Sequence, residues 1–100
     1  MVILTMNILF HQEKRMIKGK TKSGFKYEID EKILNDYRFF ELISEIDDKP
    51  YKAPKLVETL LGKEQKDKLL AHVEKDGHVY SKDVMKEIED IFTNTKQLKN

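Results

Sequence analysis

The chain has no cysteine and no tryptophan, and its 100 residues include only two prolines and four glycines. Without cysteine it can build neither a disulfide framework nor a thiolate metal site, and a cytosolic setting fits that composition. No apolar run approaches the roughly 18–20 residues needed to cross a bilayer. An excess of one charge is also missing: 19 basic and 18 acidic side chains leave a formal charge of +1. A dedicated nucleic-acid binder, whose affinity rests on neutralising many phosphates, wants a clearer positive balance. There is no glycine-rich phosphate loop, because Gly19 and Gly24 fall in a strand and a turn. Length alone allows one domain with a single modest core.

The apolar segment at residues 2–10 does not read as a secretory signal. Its basic residues, Lys14 and Arg15, come after the apolar stretch rather than before it, and no small-residue cleavage site follows. Two readings of residues 1–15 stay open. In one they are a leader and Met16 is the true start, since the regular pattern begins there; Gln12-Glu13 encoded as CAG-GAG would place a purine-rich ribosome-binding sequence just upstream. Mass spectrometry of protein made from the native gene tests this, and an intact terminus at Met1 contradicts it. In the other reading residues 3–10 form an added strand pairing with the hairpin that follows. Residues 16–100 are expected to form the single domain.

From Met16 the pattern is regular. Residues 17–20 and 25–29 read as two strands joined by a turn in which Gly24 can take positive φ. Phe25, Tyr27 and Ile29 alternate with Lys26 and Glu28, the period of a half-buried strand. Asp30 then suits an N-cap and Glu31 the positive end of a helix dipole. Ile33, Tyr37, Phe40, Ile43 and Ile46 recur at helical spacing, widened by Leu34, Phe39 and Leu42, so one helix is expected to run until the cluster Asp47-Asp48-Lys49-Pro50. Pro54 opens a second helix through Leu56, Val57, Leu60 and Leu61, with Gly62 as its stop. A third covers 64–74 and buries Leu69, Leu70 and Val73. Asp76-Gly77 is a turn, and Ser81 is placed to cap a last helix carrying Met85, Ile88, Ile91, Phe92 and Leu98. The polar tail from Thr93 to Asn100 is expected to fray. The fold class is therefore α+β: an N-terminal β-hairpin, with or without an added strand, packed on about four short helices.

Chemistry has little to stand on. Aligned on Gly77, an EF-hand loop would use Glu74 and Asp76 as ligands, but its first position falls on His72 and its last on Asp83 instead of a glutamate. A glycine turn before a helix explains the same residues. His72 and His78 flank that turn without the spacing of a one-face pair, and no third strong ligand lies near in sequence. Ser23, Ser44 and Ser81 have simpler roles as turn, helix-surface and cap residues than as nucleophiles, which need a base and an orienting partner. Paired carboxylates such as Asp47-Asp48 and Glu89-Asp90 read as solvated helix faces. No catalytic, cofactor or metal site is expected.

Charge is unevenly spread. From His11 to Lys26 the chain carries Lys14, Arg15, Lys18, Lys20, Lys22 and Lys26 against Glu13, a net +5. From Tyr27 to Asp48 it carries Lys32 and Arg38 against eight carboxylates, a net −6. A basic hairpin beside an acidic helix is either self-complementary or a means of steering a charged partner.

With these residues in view, the unit from Met16 to Asn100 resembles the tail assembly chaperones of long-tailed phages and prophages of Gram-positive bacteria. The resemblance rests on Lys22-Ser23-Gly24-Phe25-Lys26-Tyr27-Glu28-Ile29-Asp30 and the aromatic helix ending Ser44-Glu45-Ile46-Asp47. It continues in Leu60-Leu61-Gly62-Lys63-Glu64-Gln65, the Asp76-Gly77-His78-Val79 turn, and Glu87-Ile88-Glu89-Asp90-Ile91-Phe92. Residues 1–15 fall outside it. It implies a non-catalytic protein of the host cytoplasm that coats the long helical tape measure protein, keeps it soluble, and helps recruit major tail protein. Such a protein then leaves and is absent from the virion; a longer frameshifted product is common in the family. Tyr37, Phe39, Phe40, Tyr51 and Phe92 are the aromatics expected to line a holding surface, Tyr51 first because it lies in a loop. Self-association through the last helix stays open. The competing reading is a small phage or mobile-element regulatory protein that grips nucleic acid through the Lys14–Lys26 stretch.

Overall fold

The computed structural model describes residues 15–99, with side chains as far as 95. Both the strand anticipated at 3–10 and the placement of Leu98 lie outside what it describes. The fold is α+β: among the described residues, a two-stranded antiparallel hairpin is followed by four helices. Strand β1 (Met16–Lys20) pairs with β2 (Lys26–Asp30) in a register that sets Ile17 against Ile29 and Gly19 against Tyr27. The Thr21 backbone N–H donates to Phe25 O at 2.9 Å, and Gly24, at φ 100°, lets the turn close. Alternation does the rest: Phe25, Tyr27 and Ile29 are buried, whereas Lys26 and Glu28 face water.

Gly19 has a specific reason to be glycine. A Cβ there would meet Tyr27 Cζ at 2.6 Å, so the tyrosine ring lies across the glycine of the opposite strand. Asn94 Nδ2 donates to the Tyr27 hydroxyl at 3.2 Å and to Lys20 O at 3.1 Å.

The helix expected to run unbroken from Asp30 to Ile46 is two helices. Helix α1 (Glu31–Leu34) is capped by Asp30, whose carboxylate accepts from Lys32 N. It ends where Asn35 Nδ2 donates back to Glu31 O at 3.2 Å, and Asp36 then caps α2 (Tyr37–Glu45) by accepting from Arg38 N at 2.7 Å. Adjacent Asn and Asp side chains bonding to nearby backbone offer the chain this alternative to continuing the helix. A 3₁₀ turn (Pro50–Lys52) leads into α3 (Ala53–Val73). That helix is bent in two at Gly62, whose φ of 81° and ψ of 163° are not helical, so the expected stop is a sharp kink. Helix α4 (Ser81–Lys99) begins with Ser81 as its first residue, one place inside the expected cap.

The core lies between the hairpin and the helices: Phe25, Tyr27 and Ile29 meet Phe39 and Leu42 of α2, Leu56, Leu60 and Leu69 of α3, and Ile88 and Ile91 of α4. Contrary to expectation, the first part of the polar tail is packed, at Asn94 and Thr95. Helix α4 is helical to Lys99, Thr95 is buried, and Asn94 reaches the hairpin, because this part of α4 packs along β1.

Candidate functional site: an apolar face on α2

Helix α2 carries two apolar stripes. Phe39 and Leu42 point into the core, joined by half-buried Ile46. Tyr37, Phe40 and Ile43 recur every third residue, about 60° apart around the helix axis, and form a second stripe turned to water. They are 69%, 62% and 37% exposed. The Tyr37 and Phe40 rings stand 6.1 Å apart at 42°, a ready-made aromatic pair. Isolated exposed apolar side chains need no explanation, but three in a row on one helix do.

Between α2 and the start of α3 lies an open groove of about 530 Å³, lined by Arg38, Glu41 and Glu45 above a floor of Phe39 and Leu42. Lys52 Nζ donates to Glu45 Oε1 at 2.6 Å across it, and Lys49 approaches the same carboxylate at 3.7 Å. The hydrogen bond from Lys52 holds the Glu45 carboxyl below its ordinary 4.5 and raises the Lys52 ammonium above 10.5.

The five aromatics singled out in the sequence divide cleanly. Tyr37 and Phe40 share the exposed stripe, and Tyr51 is exposed on the 3₁₀ turn. Phe39 is a core residue, 3% exposed, and Phe92 is half-buried with its ring 6.2 Å from Phe39. Those two are corrected to packing residues: position 39 lies about 40° from Ile43 on the inward side of the wheel, in the core with α3 and α4, and Phe92 packs against that core. Ile43, in register with Tyr37 and Phe40, completes the outer stripe.

A second cluster joins parts far apart in sequence. Glu87 is buried on α4; its Oε1 accepts from Thr21 Oγ1 at 2.7 Å and its Oε2 from Ser23 Oγ at 2.8 Å. His72 Nε2 lies 3.0 Å from the same Ser23 Oγ. A carboxylate only accepts, so the serine proton points to Glu87 and the imidazole must donate to Ser23. That order leaves the histidine unable to act as the serine's base, the opposite of a nucleophile–base pair. The cluster instead ties the hairpin turn to α3 and α4. His78 is turned elsewhere, its ring 6.1 Å from Tyr80, so the two histidines do not converge. Lys75 and His78 exchange backbone hydrogen bonds around Asp76 (φ 52°) and Gly77 (φ 78°), a two-residue hairpin turn in place of a calcium loop.

The outward face of the hairpin carries Lys18, Lys20 and Lys26, all exposed, with Lys20 directly opposite Lys26. None of the three forms an ion pair among the described residues; Arg15–Glu31, at 3.6 Å, does link the basic and acidic segments. No described helix is long and apolar enough to cross a membrane. No family model, curated protein or solved structure matches the chain.

Proposed function

We propose that this chain is a non-catalytic tail assembly chaperone of a long-tailed phage or prophage. In this reading it binds the tape measure protein in the host cytoplasm, keeps it soluble while tail subunits gather, helps recruit major tail protein, and is absent from the finished particle. The resemblance of residues 16–100 to that family motivates the role, and the exposed Tyr37–Phe40–Ile43 stripe is the observation that carries it. A long helical protein with unfilled apolar stripes aggregates unless another surface covers them. A shallow aromatic ridge covers such a stripe with moderate affinity, as a protein that must later leave requires. Tyr51 adds a further exposed ring on the neighbouring turn.

The test is co-expression with the tape measure protein of the same phage or prophage. Retention of that protein in the soluble fraction, and its co-purification with this chain, is the expected result. A tape measure protein equally soluble without the chain, and no co-purification, contradicts the role.

One observation favours a second reading, a regulatory protein binding nucleic acid. Lys18, Lys20 and Lys26 share one exposed face without ion-pair partners among the described residues. If that face grips phosphates, a DNA shift at physiological ionic strength should weaken with a log–log salt slope of about −0.9 per neutralised phosphate. Its absence leaves the chaperone reading alone.

A further inference from the structure

The outer stripe of α2 lies within an acidic frame. Asp36 stands at its N-terminal end, Asp47 and Asp48 follow its C-terminal end, and Glu41 flanks it; all four are exposed, and none is in an ion pair among the described residues. Lys49 and Lys52 converge on Glu45, and Arg38 and Lys52 share the groove with Asp36 and Glu41, so these cations offset part of that charge; Asp47 and Asp48 lie outside the groove. The stripe therefore presents aromatic and aliphatic surface in a negative field.

We propose that this face takes a cationic amphipathic helix, one whose apolar stripe is bordered by lysine or arginine. The inference rests on the holding role proposed above and narrows its partner segment. From Tyr37 to Ile43 the ridge spans about 9 Å at 1.5 Å per residue, the length of two turns of a partner helix laid against it. Basic residues bordering that partner's stripe would meet Asp36, Glu41, Asp47 and Asp48, while their stems extend the apolar contact. A second copy of the chain is a poor occupant. Pairing α2 with α2 would bring the same four carboxylates of each copy into one interface, a repulsion that disfavours that dimer.

Two synthetic helices with the same apolar stripe, one flanked by lysines and one by glutamates, separate the possibilities by fluorescence anisotropy at low salt. The lysine helix should bind about tenfold or more tighter, a preference that collapses in the triple variant Glu41→Lys, Asp47→Lys, Asp48→Lys. Phe40→Ser, at an exposed position, should weaken lysine-helix binding about tenfold while leaving the fold intact. Equal affinity for both helices, or binding indifferent to Phe40→Ser, overturns the inference. So does concentration-dependent self-association that Phe40→Ser abolishes, which would make a second copy the occupant. The inference and the holding role fail separately. A tape measure protein still kept soluble by Phe40→Ser removes this face and leaves the role; lysine-helix binding without any tape measure retention does the reverse.

Discussion

Gln65 offers a side-chain amide to three backbone groups at once. Its Oε1 accepts from Glu28 N at 2.7 Å, and its Nε2 donates to Glu28 O at 2.6 Å and to Leu61 O at 2.8 Å. It thus closes the outer edge of β2 as a neighbouring strand would, and bonds the Leu61 carbonyl beside the kink at Gly62. Gln65→Ala should lower stability by about 1–3 kcal/mol, read as a fall in urea midpoint without change in slope. A midpoint like that of the parent would mean that water replaces all three bonds at no cost. Gly19→Val should cost a similar amount, about 1–3 kcal/mol, because the added atoms collide with the buried Tyr27 ring. Serine or alanine at Gly19 cannot relieve that contact, since the clash begins at Cβ. Periodicity pointed to neither residue. Gln65 looks like one more polar helix position, and two of its three bonds reach Glu28, 37 residues away on a strand.

At the scale of elements, most of the chain was legible. The alternation of Phe25, Tyr27 and Ile29 and the turn at Gly24 placed the hairpin, and Gly62 marked a discontinuity where the backbone does leave the helical region. The break between α1 and α2 was not anticipated. The apolar spacing from Ile33 to Ile46 is continuous, and only the local bonds of Asn35 and Asp36 interrupt it. Nor does spacing alone say which of two apolar stripes on α2 is covered; that depends on where α3 and α4 lie. Asp36→Ala should therefore weaken α2 by about 1 kcal/mol, seen as faster amide hydrogen exchange in residues 37–40. The link between α2 and the 3₁₀ turn is titratable. The folded Glu45 carboxyl, held low by Lys52, takes up its proton at lower pH than the unfolded one. The unfolded chain then binds more protons as pH falls past 4.5, so the contribution is complete above that value and is lost below it. Glu45→Gln should accordingly be less stable than the parent near neutrality, with the difference shrinking as pH drops below 4.5. A difference independent of pH would assign the contact to packing instead.

For the whole molecule, the surface around the shared core is divided by charge. The hairpin shows lysines and α2 shows carboxylates around exposed rings, and among the described residues they do not pair with each other. The uneven charge was visible in the sequence; that it persists at the folded surface follows from the register, which turns Lys18, Lys20 and Lys26 outward together. The Thr21–Ser23–Glu87–His72 cluster was not visible, because its bonds from the turn to the helices span 49 to 66 residues and form only when the hairpin turn docks between α3 and α4. The outer stripe of α2 is the surface to which the holding role is assigned. Co-expression of the tape measure protein with the parent chain and with a Tyr37→Ser, Phe40→Ser, Ile43→Ser variant tests it most directly. The parent should keep the tape measure protein soluble and co-purify with it, and the folded variant should do neither. A variant with unchanged circular dichroism that holds the tape measure protein as well as the parent would contradict the assignment.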